Sequence, residues 1–98
     1  MNITWKIQFT KASTKQITKL NKAILLVLRF LVEELTVRGP TIHDWPNYGK
    51  LHGKSGQDKY HCHLKKGKPT YVCCWEVVNK KEKIIEVYYV GTHEKAPY

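Results

Sequence analysis

Between Lys59 and Val90 three strand-like runs follow one another with only short turns between them, and this leaves the chain few folds to choose from. The runs are Lys59 to Lys65, Thr70 to Val78 and Lys83 to Val90, joined by Lys66-Gly67-Lys68-Pro69 and Asn79-Lys80-Lys81-Glu82. Connections this short join neighbours in an antiparallel sheet, so the spacing predicts a three-strand meander. In the first run Tyr60, Cys62 and Leu64 alternate with Lys59, His61, His63 and Lys65. Side chains in a strand point alternately to its two faces, so one face is apolar and the other carries two histidines and two lysines.

The N-terminal half has a different pattern. Ile3, Trp5, Ile7 and Phe9 alternate with polar residues, as in a strand with one buried face. Thr10 or Ser13 can then cap a helix, and Ser13 with Gln16 makes a capping box. The apolar stripe Ile17, Leu20, Ile24, Leu28 and Leu31 continues it, and Asn21 leaves open whether the stripe is one helix or two. Gly39-Pro40 supplies the stop. From Thr41 to Asp58 the chain reads as a long loop anchored by Trp45, Tyr48 and Leu51. Strand, helices and then three strands predict an α+β layer structure, with helices on one sheet face and the other face at least partly open. With 98 residues, 42% of them hydrophobic, the chain has room for a single domain over 1–98 with a modest core.

Charge narrows the class of partner. Seventeen Lys and Arg against eight Asp and Glu leave a formal net charge of +9, which favours an anionic partner. Lys50, Lys54, Lys59, Lys65, Lys66 and Lys68 crowd the stretch from Gly49 to Lys68, where Asp58 is the sole acid and His52, His61 and His63 are interleaved. The three cysteines, Cys62, Cys73 and Cys74, lack the paired spacing of a disulfide framework. A reducing, cytoplasmic setting is expected, and no secretory signal is visible at Met1 to Lys6. The longest apolar stretch, Ala23 to Val32, is broken by Arg29 and falls well short of the roughly 20 residues of a membrane span. It reads as a buried helix, with no membrane partner.

Beyond the last strand, the tail Gly91 to Tyr98 is short enough for His93 and Tyr98 to reach the open face. The plainer reading is a solvated strand face with a surface histidine beside it. A zinc site could be drawn from His61, His63 and Cys73 or Cys74, but adjacent cysteines on one strand point to opposite sides, so no metal or other cofactor is expected. Trp45, Tyr48 and Tyr98 could also serve as stacking platforms of a non-catalytic single-strand RNA binder.

Taken in order, these segments resemble the RelE/ParE superfamily of toxins, and in particular its RelE/YafQ-like mRNA interferase branch. Trp5-Lys6-Ile7-Gln8-Phe9-Thr10-Lys11 resembles that family's first strand running into a two-helix hairpin. Lys50-Leu51-His52-Gly53-Lys54 is similar to its Leu-basic-Gly segment, Tyr60 to Lys65 to the strand bearing basic site residues, and Tyr71-Val72-Cys73-Cys74-Trp75 to its third strand. Val90-Gly91-Thr92-His93 resembles the Gly-Thr-His near the C-terminus of YafQ-like toxins. The resemblance spans essentially the whole chain and implies a type II toxin whose partners are a cognate antitoxin, mRNA and the ribosome.

By the same resemblance His93 takes the C-terminal catalytic position, with His63 and Lys65 on the strand and Tyr98 as the terminal aromatic. Lys50, His52, Lys54, Lys59 and His61 would add RNA contacts. The implied reaction is metal-independent attack of the RNA 2′-hydroxyl on its own phosphate. It needs one group to take a proton, one to give a proton and positive charge on the phosphorane. Histidines suit the first two tasks, with His63 as base and His93 as acid or the reverse, and lysines suit the third. The nearest rival keeps the fold and drops the chemistry: a ParE-like gyrase inhibitor, or an inert RNA-binding relative.

Overall fold

The structure, a computed structural model, describes residues 4–51 and 56–98. His52 and Lys54, two expected RNA contacts, lie outside the described residues, as does Ile3. The elements run β1 (Lys6–Phe9), α1 (Lys11–Ile17), α2 (Lys22–Arg38), β2 (Gly49–Leu51), β3 (Lys59–Lys65), β4 (Tyr71–Asn79), β5 (Ile84–Thr92) and a 3₁₀ turn at His93–Lys95. The five strands form one sheet in the order β1-β5-β4-β3-β2. The expected meander is present: β3, β4 and β5 pair antiparallel in sequence order. β1 pairs with β5 and runs parallel to it, from Lys6 opposite Ile84 to Phe9 opposite Val87.

Local chemistry explains the helix boundaries. Thr10 caps α1 through its Oγ1, which accepts the Ser13 N–H at 3.1 Å. Asn21 then breaks the apolar stripe: its Oδ1 accepts the Ile24 N–H at 2.9 Å and starts a second helix. Asn satisfies a free amide of the first turn in this way. Ile24, Leu28, Leu31 and Leu35 recur at helical spacing and are buried. Gly39, at φ +86°, ends α2 and donates its N–H to Leu35 O. A side chain there would be strained by the left-handed backbone, and its Cβ would also lie 2.9 Å from Trp5 Nε1.

The main core lies between the helices and one face of the sheet. Leu31, Leu35, Ile42, Cys62, Cys73, Trp75, Ile85 and Val87 are fully buried there. Trp75 keeps its indole N–H satisfied by donating to Pro40 O at 3.2 Å, as a buried polar group requires. Three sequence expectations need correction. The segment read as one loop to Asp58 contains β2, which pairs antiparallel with β3. Ser13 and Gln16 form no capping box; Ser13 Oγ donates to Val87 O at 2.8 Å, and Gln16 Oε1 accepts the Val90 N–H at 2.9 Å. Both side chains bond to β5, and Ser13 Oγ also donates to Thr10 O at 3.1 Å. Phe9 remains exposed at the margin of a groove with Ile17, Leu25 and Val32.

Candidate active site

Among the described residues no α-helix packs on the second sheet face, and register decides which side chains stand on it. His61 lies opposite Cys74, which lies opposite Tyr89; His63 lies opposite Val72, which lies opposite Gly91. His61 and His63 therefore share this face. The tail crosses part of it: Ala96 packs on Val72, Cys74 and Tyr89, and the Tyr98 ring sits 4.8 Å from that of His61. Its 3₁₀ turn brings His93 over the same rows. The His93 and His63 rings meet edge-on at 5.6 Å between centroids, and Tyr98 lies 5.9 Å from His93.

The structure thus brings together His61 and His63 from β3 with His93 and Tyr98 from the tail. His61 Nδ1 and His63 Nδ1 are both shielded from solvent without a hydrogen-bond partner among the described residues. Burial holds the His61 imidazole below the usual histidine range, with the positive charges of His63 and His93 adding to the effect. His63 is lowered in the same direction, by burial first, then by His93 and Lys66. A partly desolvated ring beside other ionisable rings disfavours its own cation. Neutral His63 is accordingly available to take a proton at neutral pH.

The lysines are placed differently. Between His63 and Lys65 the β3–β4 register slips, so Lys65 stands opposite Tyr71, whose ring packs on the helix-side core. It therefore leaves the alternation that aligns His61 with His63. Lys50 pairs with Tyr60, a residue of the helix-side core, and its Nζ is bound to Asp58 at 2.9 Å. The strand face shared with the histidines does hold Lys59, opposite Glu76, with its Nζ 5.1 Å from the centre of the Tyr88 ring. Glu76 in turn faces Glu86, so the β5 side of this face is acidic. Lys68 shares a cleft with the tail histidine: with Gly67, Pro69, Thr70, Thr92 and Glu94 it lines a space of about 450 Å³ that also contains His93. The sequence places Lys68 in the basic stretch but gives it no site role, because it sits in a turn and not on a strand face.

The cysteines divide as the alternation requires. Cys73 faces the helix-side core and Cys74 the opposite face. All three are buried and free, and burial pushes the Cys62 and Cys74 thiols up to about 12. A metal ligand must be a thiolate, which this environment resists. Among the described residues no group of three or more His, Cys, Asp or Glu is arranged to hold a metal ion. Trp45 and Tyr48 pack against the helix-side core, on the face opposite to His61 and His63, and Tyr48 meets His43 at 4.9 Å between ring centroids. Among the described residues no helix is long and apolar enough to cross a membrane.

No protein-family model and no curated protein matches the chain. Solved structures do. RelE in the archaeal RelE–RelB complex of Pyrococcus horikoshii is 22% identical and superposes with a TM-score of 0.76, covering 96% of this chain and all of that one. A mutant of the E. coli toxin RelE in the free state is 21% identical, with a TM-score of 0.73 over 96% of this chain and 88% of its own. YoeB from Staphylococcus aureus, solved as a dimer, is 12% identical with a TM-score of 0.69, over 91% and 97% of the two chains. Two helices on a five-strand mixed sheet, matched over more than nine-tenths of the chain, give this chain the fold of RelE and YoeB.

Proposed function

We propose that this protein is the toxin of a type II toxin–antitoxin pair and that it is an endoribonuclease. One observation carries the reading: His63 and His93, from separate elements, stand ring to ring on the uncovered sheet face beside Tyr98. Two imidazoles flanking one phosphate can remove the 2′-hydroxyl proton and protonate the leaving 5′-oxygen, with no group from outside the protein needed. His63, kept neutral by burial, suits the base, and His93 the acid. Tyr98, half exposed and next to both His61 and His93, suits stacking on a base of the RNA. Lys68 shares a cleft with His93 and suits the phosphorane charge better than Lys65, which the register turns aside.

The +9 charge supports an anionic partner. Several structural neighbours were solved with their antitoxins, in RelE–RelB and RelBE complexes. A cognate antitoxin with an acidic segment over this surface is the expected protein partner, and mRNA on the ribosome the expected substrate. The test is growth arrest and cleavage of a defined mRNA on ribosomes by wild type and His93→Gln. Wild type should arrest growth and leave 2′,3′-cyclic phosphate ends, and the variant should do neither. Equal toxicity of the two, or 3′-hydroxyl ends, would refute the scheme.

A further inference from the structure

Tyr89 takes no part in the chemistry above, yet its hydroxyl reaches the tail. It is buried and donates to the carbonyl oxygen of Thr92 at 2.7 Å. That carbonyl and the His93 N–H belong to the same peptide group, and the His93 N–H donates to Thr70 O at 2.8 Å. The peptide that launches His93 is thus held at both of its polar atoms, from β5 on one side and from the residue preceding β4 on the other. Thr92 is the N-cap of the 3₁₀ turn but makes no side-chain capping bond, so these backbone bonds set where the turn begins.

Gly91 completes the arrangement. A Cβ at this position would lie 2.7 Å from the Tyr89 hydroxyl oxygen and 3.0 Å from Cζ, closer than real Cβ contacts come. The hydroxyl occupies space that any side chain at 91 would take. A register shift between Cys74 and Trp75 leaves Tyr88 unpaired and sets Tyr89 opposite Cys74, on the face that carries His61. Without that bulge the Tyr89 ring would face the other way.

We propose that Tyr89 is the positioning residue for His93: its hydroxyl, seated over Gly91, fixes the Thr92–His93 peptide and so holds the His93 imidazole against His63. The consequence for catalysis rests on the ribonuclease reading, while the positioning itself does not. Tyr89→Phe keeps the ring and removes the bond. Gly91→Ala keeps the hydroxyl and displaces it. Both are compared with wild type by nuclear Overhauser contacts between the His63 and His93 ring protons and by single-turnover cleavage of mRNA on ribosomes.

Both variants should lose most of the inter-ring contact while the rest of the spectrum stays folded. Cleavage should slow roughly ten- to a hundred-fold, as for a misplaced catalytic group, with half-saturating concentration within about two-fold of wild type. An unchanged inter-ring contact in Tyr89→Phe overturns the proposal, whatever happens to the rate. Loss of the contact in a protein whose wild type cuts no RNA upholds the positioning and refutes the ribonuclease reading instead.

Discussion

The imidazoles of His63 and His93 stand edge to face, 5.6 Å between centroids, although one belongs to β3 and the other to the turn after β5. Neither strand alone creates this pair. It exists because β4 lies between β3 and β5 and the turn folds back across it. If the two rings handle the two protons of one reaction, their contributions are not additive. His63→Gln and His93→Gln should each slow cleavage by about 10²- to 10⁴-fold, and the double variant should be little worse than the slower single one. Multiplying losses, measured as single-turnover rates, would show that the two act separately.

The depressed His63 sets a pH signature. Below its folded pKa the ring is charged and cannot act as base, so the acidic limb of the rate profile should fall below pH 6.5, the ordinary histidine value. Removing the neighbouring charge in His93→Gln should raise the His63 pKa toward that value, read by the shift of its ring protons on titration. Stability carries the same sign. For His61 and His63 the unfolded chain binds protons more readily than the folded one, so stability is fully present above pH 6.5 and declines as pH falls through the lowered folded pKa values. Thermal melts between pH 5 and 8 check it, and a melting temperature that rises on acidification would contradict the burial of these rings.

Two lysines separate by their surroundings. Lys68 lines the His93 cleft, whereas Lys50, opposite Tyr60 on the helix-side face, is bound to Asp58. Lys68→Ala should weaken RNA binding and lower the slope of log affinity against log salt by about 0.7, the value for one lost contact with a single strand. Lys50→Ala should change the slope by much less. Binding of a short single-stranded RNA at several salt concentrations distinguishes them.

Ser13 gives a stability prediction away from the site. It is fully buried, and its hydroxyl donates to Val87 O across the helix–sheet interface at 2.8 Å. Ser13→Ala removes this bond while the Thr10 N–H still donates to the same carbonyl at 3.1 Å, so the cost is that of one hydrogen bond, about 0.5–1.5 kcal/mol. For a domain of this size each kcal/mol lowers the melting temperature by about 4–8 °C. Calorimetry at neutral pH measures the shift.

Much of the fold could be read from the residues because local rules and tertiary packing agree there. The turns Lys66 to Pro69 and Asn79 to Glu82 mark the meander, and the alternation in β3 places Tyr60, Cys62 and Leu64 inward with His61 and His63 outward. The readings failed where one residue more or fewer decides the outcome. A single slip of register moves Lys65 off the histidine face, and another frees Tyr88 and aims Tyr89 at the tail. β2 is three residues long, too short to show a period. Ser13 and Gln16 have the spacing of a local cap but bond to β5, because a buried strand backbone competes for them. His93 and Tyr98 were marked by resemblance and by their nearness to the sheet, since a tail carries no periodicity to place a side chain.

The parallel pairing of β1 with β5 has a consequence in time. β1 is synthesised before the other described strands, yet the strand it docks on is made after them. Bringing them together closes a loop of most of the chain, an entropic cost met only once the local meander provides a surface. Until β5 exists, β1 has no seat and the turn bearing His93 has not been made. On the proposed reading, the nascent toxin therefore stays harmless to the ribosome producing it, because connectivity alone delays assembly of the site until synthesis has passed the last strand.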